Sequence, residues 1–242
     1  MKIRITSILL TMAMMMGLSA HSFAVDPHSN EEWLVKYDEK GTVYLENSIT
    51  GEKAVRAVQF DEQGNPYDVD LISYAAELNA TGETAPVHMT ASEPSSILPL
   101  SGNSGTRYEE TRWYYQTGEA RKVSPTVKAS QNGATISYGE SITIENSFSG
   151  GITFTAAVKK IIQGGVSFSW NESLSTSSSF GVTFTLNDGQ SGYIAFLPRF
   201  IVSQGTYYEE RITTTAKYSI TAKSPIKLAT GYADGTYMLV LV

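Results

Sequence analysis

The 51 residues from Ile136 to Leu186 hold a single apolar phase. The even positions carry Ile136, Tyr138, Ile142, Ile144, Phe148, Ile152, Phe154, Val158, Ile162, Val166, Phe168, Trp170, Leu174, Phe180, Val182, Phe184 and Leu186, interspersed with Glu140, Asn146, Gly150, Ala156, Lys160, Gly164, Glu172, Thr176 and Ser178. The odd positions are almost all Ser, Thr, Gly, Asn, Gln, Lys or Glu; small Ala157 and apolar Ile161 are the exceptions. Successive side chains of a strand leave opposite faces, so a period of two specifies β-structure with one greasy face and one hydroxyl-lined face. An ordinary strand runs about 5–6 residues, so this stretch must turn, and turn without exchanging its faces.

The place of the turn follows from that condition. Closing at Gly164-Gly165 would pair Gln163 with Val166 and set the apolar face of one arm against the polar face of the other, because a one-residue slip flips every side chain. A turn over Lys159-Lys160-Ile161 instead pairs Val158 with Ile162, Phe154 with Val166, Ile152 with Phe168 and Gly150 with Trp170, all on one face. The arms Phe148–Val158 and Ile162–Trp170 contain no charged residue. Their lengths suit a membrane-crossing strand, which needs about 9–11 residues. Glu145 and Glu172 lie beyond one end, Lys159 and Lys160 at the other, and Phe148 and Trp170 stand where barrels place aromatic girdles. Phe148, Ile152, Phe154, Val158, Lys159, Lys160, Ile162, Val166, Phe168 and Trp170 are therefore the candidate membrane-insertion hairpin. One hairpin leaves open edges, so a spanning structure would need several copies closed into a barrel.

The rest of the chain sets the context. Lys2 and Arg4, an apolar run from Ile5 and the small-residue site Ser22-Phe23-Ala24 read as a signal peptide over 1–24, cut between Ala24 and Val25. With no Cys anywhere, an exported chain must hold itself by packing and strand pairing, which fits a secreted, extracellular bacterial protein. From Val25 to Thr106 there are 14 acids and 4 bases; from Arg107 to Val242 there are 10 acids and 12 bases. That asymmetry suggests a small acidic N-terminal region (25–79), a Pro/Ser/Gly-rich linker (80–105) and a β-rich domain (106–242). No basic stripe points to nucleic acid. The fold class expected is mainly β: an elongated, antiparallel, twisted sheet or sandwich with an amphipathic hairpin, preceded by the acidic region.

Smaller signals add detail. Asp70–Asn79 reads as a short helix capped by Asp70. Tyr37-Asp38-Glu39-Lys40-Gly41 is echoed by Phe60-Asp61-Glu62-Gln63-Gly64, and both copies read as strand-ending turns, since their acids lack the alternate spacing of a calcium loop. Turns are expected at Thr117-Gly118, Asn132-Gly133, Asn187-Asp188-Gly189, Ser203-Gln204-Gly205 and Ala233-Asp234-Gly235. The repeats Gly105–Glu110 and Gly205–Glu210 read as similar strand starts in one sheet.

Catalytic signals are few. There is no nucleophile elbow, no phosphate loop and no Cys, and the histidines of the mature chain, His28 and His88, lie in polar segments. No catalytic residue, metal site or cofactor is assigned, and a non-enzymatic role is expected. Trp113, Tyr114, Tyr115, Tyr207 and Tyr208 are candidate surface-binding aromatics for a glycan or protein receptor.

The Ser/Thr-alternating stretch, the strand Gly192-Tyr193-Ile194-Ala195-Phe196-Leu197-Pro198 and the Thr-rich Ile212-Thr213-Thr214-Thr215 together resemble the aerolysin-like, epsilon-toxin-like β-pore-forming proteins over residues 106–242. The resemblance implies an elongated secreted monomer that self-associates on a target membrane and unfolds Phe148–Trp170 into a barrel. A soluble extracellular β-sandwich with a binding or surface role shows the same alternation, so both function classes stand at this point.

Overall fold

The computed structural model describes residues 33–79, 105–177 and 180–242. The expected signal peptide, its Ala24/Val25 cleavage point and all of the linker but Gly105 lie outside the described residues. Strands β1 (Trp33–Tyr37), β2 (Val43–Asn47), β3 (Lys53–Phe60) and β4 (Pro66–Asp68) precede helix α1 (Leu71–Leu78). Strands β5 (Arg107–Thr117), β6 (Arg121–Lys122) and β7 (Val127–Lys128) follow. An insert then carries β8 (Ala134–Ser137), β9 (Thr143–Glu145), β10 (Ser147–Gly150), helix α2 (Ala156–Gly165), β11 (Ser173–Ser175) and β12 (Thr183–Leu186). Strands β13 (Ser191–Glu210), β14 (Thr215–Pro225) and β15 (Gly235–Leu241) close the chain. The protein is mainly β, built on a curled antiparallel sheet.

The 20-residue strand β13 is the spine of that sheet. At about 3.3 Å per residue it is roughly 65 Å long. In chain order it pairs along one edge with β7, β6 and then β5, and along the other with β15 and then β14. The change of partner falls at Pro198, opposite Gly235, just before Phe200 pairs with Pro225. A proline lacks the ladder N–H, which suits it to a point where pairing is interrupted. The turn expected at Ser203-Gln204-Gly205 is absent, because β13 runs straight through it. Gly205 is there for close approach: a Cβ would lie 2.3 Å from the Glu109 carbonyl oxygen and 2.7 Å from the Tyr108 ring. The actual turn is at Arg211–Thr214, where Arg211 N donates to Thr214 O at 2.8 Å. The repeated segments are sheet neighbours, running antiparallel with Tyr207 opposite Tyr108 and Tyr208 opposite Arg107.

Each face of β13 is covered. Even-numbered Ile194, Phe196, Phe200 and Val202 join Ile136, Ile144, Phe184 and Leu186 of the insert in the largest core. Odd-numbered Ala195 and Leu197 meet Leu71, Tyr74 and Ala75 of α1. Odd-numbered Tyr207, farther along, belongs to a third cluster with Ile162 and Val166. So α1 and α2 cover one face at opposite ends of the spine.

The described strands of the acidic front join the sheet of the rest of the chain. Strand β3 pairs with β15, and it feeds Val58 and Phe60 to one core and Ala54 and Ala57 to the other. An edge this apolar must be paired, and β15 supplies the partner. The front acids sit largely in turns: Asp38 Oδ1 accepts from the N–H groups of Lys40 and Thr42, and Asp61 Oδ1 from those of Gln63 and Asn65. Gly41 and Gly64 take φ of 80° and 84°, so both copies of the echo are the same Asx turn.

Candidate functional site

The alternating stretch forms a hairpin only at its base. Strand β8 pairs with β12, with Ser137 opposite Thr183, which is the register that a turn over Lys159–Ile161 requires. Farther in, β9 pairs with β11 with Glu145 opposite Ser173, a slip of two residues. A slip of two keeps every side chain on its face. The ladder is continued by Tyr138 N to Val182 O, Thr176 N to Ile142 O and Asn146 N to Glu172 O, each 2.9 Å. Beyond Asn146 and Glu172 the arms separate.

The tip, residues 147–171, departs from the expected hairpin. Val158 is not paired with Ile162, nor Phe154 with Val166, because α2 spans Ala156–Gly165. Strand β10 pairs with β14 instead, Ser147 opposite Lys223 and Gly150 opposite Ile220. The local reasons are legible afterwards. The Thr155 hydroxyl caps the helix by accepting from Val158 N at 3.3 Å. Ala156-Ala157 favour helix. Val158, Ile161, Ile162 and Val166 recur at helical spacing, and Ile161 is the one apolar residue that breaks the two-residue period. Gly164-Gly165 end the helix, and a Cβ on Gly165 would meet the Tyr108 carbonyl oxygen at 2.7 Å, so the last turn seats directly on β5.

The tip packs loosely. Ile162 is fully buried and Val166 nearly so, against Tyr108, Tyr207, Ile220 and Ala222. Phe148, Ile152, Phe154, Val158, Phe168 and Trp170 are only half-buried. The Phe148 and Trp170 rings stack at 5.2 Å, Phe168 stacks on Trp170 at 6.1 Å, and Phe154 lies 5.6 Å from Phe148. Lys159 Nζ sits 5.4 Å over the Phe148 ring, while Lys160 is exposed. The tip thus shelters a good part of its apolar surface against itself rather than against the sheet.

Besides the β10–β14 ladder and the Ser149 hydroxyl bond to Thr221 O, side-chain contacts tie it down at two further points. Glu110 on β5 accepts from Ser203 Oγ at 2.6 Å and from Ser167 N at 3.1 Å, and the Ser167 hydroxyl also donates to it. Tyr108 and Ser203 hydroxyls lie 2.9 Å apart. Ser203 has one proton and aims it at Glu110, so Tyr108 is the donor to Ser203. Burial pushes the Tyr108 phenol up to about 12, with the Ser203 hydrogen bond opposing, which keeps that donor protonated. At the base, Asn171 N donates to Ser224 Oγ at 2.8 Å and Asn171 Nδ2 to Pro225 O at 3.0 Å. The sequence singled out Glu110 only as part of a repeat; its role needs the antiparallel pairing of β5 with β13, which no local pattern announces.

The candidate binding aromatics do not form one platform. Tyr114 is opposite Val202 and packs against the insert core, whereas Trp113 and Tyr115 are opposite Ser203 and Ile201 on the other face. Trp113 meets Tyr115 at 5.6 Å and Phe168 of the tip at 6.4 Å. Tyr207 is buried, and Tyr208 is flanked by Arg107 and Lys217 at 4.2 and 5.4 Å from its ring. Alternation along β5 and β13 divides the set. Glu109 and Glu209 pair locally with Arg107 and Arg211. Among the described residues no three His, Cys, Asp or Glu side chains cluster to hold a metal ion, and no helix is long and apolar enough to cross a membrane.

A mainly β protein, with one long spine strand and an amphipathic insert held against it, is the class that this geometry defines. Residues 103–242 match a family of unknown function (DUF6060), and the chain belongs to that family. No curated protein and no solved structure matches it.

Proposed function

We propose that the protein is a secreted, non-enzymatic β-pore former that self-associates on a target membrane and extends residues 147–171 into an amphipathic hairpin. The observation that carries this reading is the junction at Asn146 and Glu172. The base of the hairpin is already paired, in a register that keeps even residues on one face, and the tip, uncharged but for Lys159 and Lys160, is folded away as strand, helix and aromatic cluster. Continuing the β9–β11 register past the junction sets Phe148 opposite Trp170, Phe154 opposite Gly164 and Lys159 at the turn. The tip needs only to leave the sheet and lengthen a ladder that exists. Its sequence satisfies the helical and the strand period at once, so both states bury an apolar face.

The alternative, a soluble extracellular protein that binds a glycan or protein receptor, drew on the five aromatics. Their division between two faces gives that reading less support than the paired hairpin base gives the other, and the pore reading is preferred.

A crosslink tests the reading. In the described state the cap Thr155 and Gly164 stand about 14 Å apart by helical rise, and Phe154 is only one residue, about 3.8 Å, from Thr155, so Phe154 and Gly164 stay beyond disulfide reach. The chain has no native Cys, and a Cβ at Gly164 meets nothing within 4 Å. The Phe154→Cys/Gly164→Cys variant is expected to crosslink on liposomes under oxidant and not in solution. Dye leakage without that crosslink would sink the hairpin, and the absence of leakage by the native chain from any liposome tried would sink the pore.

A further inference from the structure

We infer that the Glu110 carboxylate is the catch that holds the tip in its stored conformation. The inference rests on the proposed function for its purpose but not for its measurement. Three observations converge on one seam. Glu110 lies on β5, an element outside the insert, yet accepts both the N–H and the hydroxyl of Ser167 in the tip. Its other oxygen is fixed from below by Ser203 of β13, which Tyr108 orients in turn. Gly165, two residues before Ser167, brings the end of α2 onto the Tyr108 backbone, where any side chain would collide.

The chemistry explains why this contact stands out from the others. The tip contains no Asp or Glu of its own, and its apolar side chains are largely half-buried. Its contacts to β14 through Ser149 and Asn171 are neutral hydrogen bonds. Hydrogen bonds to an ionised carboxylate are about twice as strong as neutral ones, and here two donors of the tip share one acceptor. Opening the tip breaks both at once and returns the carboxylate to Ser203 alone. The catch therefore lowers the free energy of the stored tip relative to the open one without adding anything to the base, which is the placement a stored segment requires.

The test uses the full chain in solution, without membranes, and reads amide exchange by mass spectrometry. Glu110→Gln and Ser167→Ala should each speed exchange over residues 158–170 on the order of tenfold, as expected when a charge-assisted hydrogen bond is lost and water partly compensates. Exchange in β15 should not change. The double variant should exceed the larger single by less than the sum of the two, because Ser167→Ala removes one of the two hydrogen bonds that Glu110→Gln weakens. Ser167→Ala removes only an exposed hydroxyl, so it remains informative if the Glu110 variant folds poorly. Unchanged exchange in the tip, equal acceleration in β15, or fully additive effects would each overturn the catch. A liposome arm separates it from the pore: faster exchange with faster leakage supports both, while faster exchange with no leakage upholds the catch and rejects the pore.

Discussion

Two helices cover the odd face of β13 from opposite ends, and they are built to different standards. Helix α1 is capped by a charged side chain: Asp70 accepts from Ser73 N and Ser73 Oγ at 2.8 and 2.7 Å. It buries Leu71, Tyr74 and Ala75, and the residue after it, Asn79, bonds both the N–H and the carbonyl of Trp33. Helix α2 has a neutral Thr155 cap, buries Ile162 alone within its length and ends in two glycines. The α1 segment alternates only over Ile72, Tyr74, Ala76 and Leu78, and helical spacing is what gathers its buried Leu71, Tyr74 and Ala75. The α2 segment lies inside a two-residue phase that runs well beyond it on both sides. On the proposed function, one cover is a permanent part of the core and the other is a reversible one.

The sharpest way to break this comparison is to truncate the anchor of each cover. Tyr74 is 1 % exposed and Ile162 0 %, so burial alone would predict similar behaviour. Tyr74→Ala should cost about 3–5 kcal/mol and lower the global melting transition, because α1 unfolds with the sheet. Ile162→Ala should cost about 2–5 kcal/mol locally, seen as faster exchange in the tip, with a much smaller change in the global transition. Equal shifts in melting from the two variants would show that α2 is as integral as α1.

The asymmetry also sorts what could be read from the chain. The base of the hairpin was legible, because even-numbered Ile136, Ile144, Phe184 and Leu186 point to one buried face and a two-residue slip leaves that parity intact. Helix α1 was legible from Asp70 and the spacing of Leu71, Ala75 and Leu78. Helix α2 was not, since Val158 and Ile162 fit either period and only Ile161 argued for helix. The course of β13 through Gly205 was hidden because glycine serves a turn and a close backbone approach alike. The turn that does occur, Arg211-Ile212-Thr213-Thr214, carries no Gly, Pro, Asn or Asp to mark it. The joining of the front strands to β15, and the meeting of Glu110 with Ser167 across 57 positions, are long-range facts that local pattern does not contain.

A gentler perturbation sharpens the same contrast. Gly164 is exposed, is helical without positive φ and has open space where a Cβ would go. Gly164→Ala should therefore stabilise α2 by about 0.5–1 kcal/mol. The tip should exchange several-fold more slowly, and any leakage on liposomes should be delayed by a similar factor. A faster opening would mean that the glycine is needed in the stored form for a reason other than helix termination.

Acid distinguishes the two ends with the smallest effect. Around α1, hydrogen bonds hold several carboxylates below their ordinary range: Asp70 through the Ser73 N–H, Asp38 through the Thr42 N–H, Asp61 through the Asn65 side chain and Asp68 through Arg56. A lowered folded value means stabilisation that is present above the unfolded value, near 3.8, and is lost as pH falls through the folded values beneath it. Buried Asp234, beside Arg199 at 3.1 Å, has the opposite sign: burial raises it, so its contribution is present at low pH and fades as pH rises through the folded value. The four lowered acids outnumber it, so the α1 end should loosen on acidification below about pH 4. Residues 147–171 contain no carboxylate, so the tip itself has nothing to titrate in that window. With Trp113→Phe and Trp170→Phe leaving Trp33 as the sole Trp, fluorescence should report an acid transition at the α1 end. Asp70→Asn should weaken its pH dependence, since the amide caps without titrating. If that dependence is unchanged, the charged cap does not set the difference between the two covers.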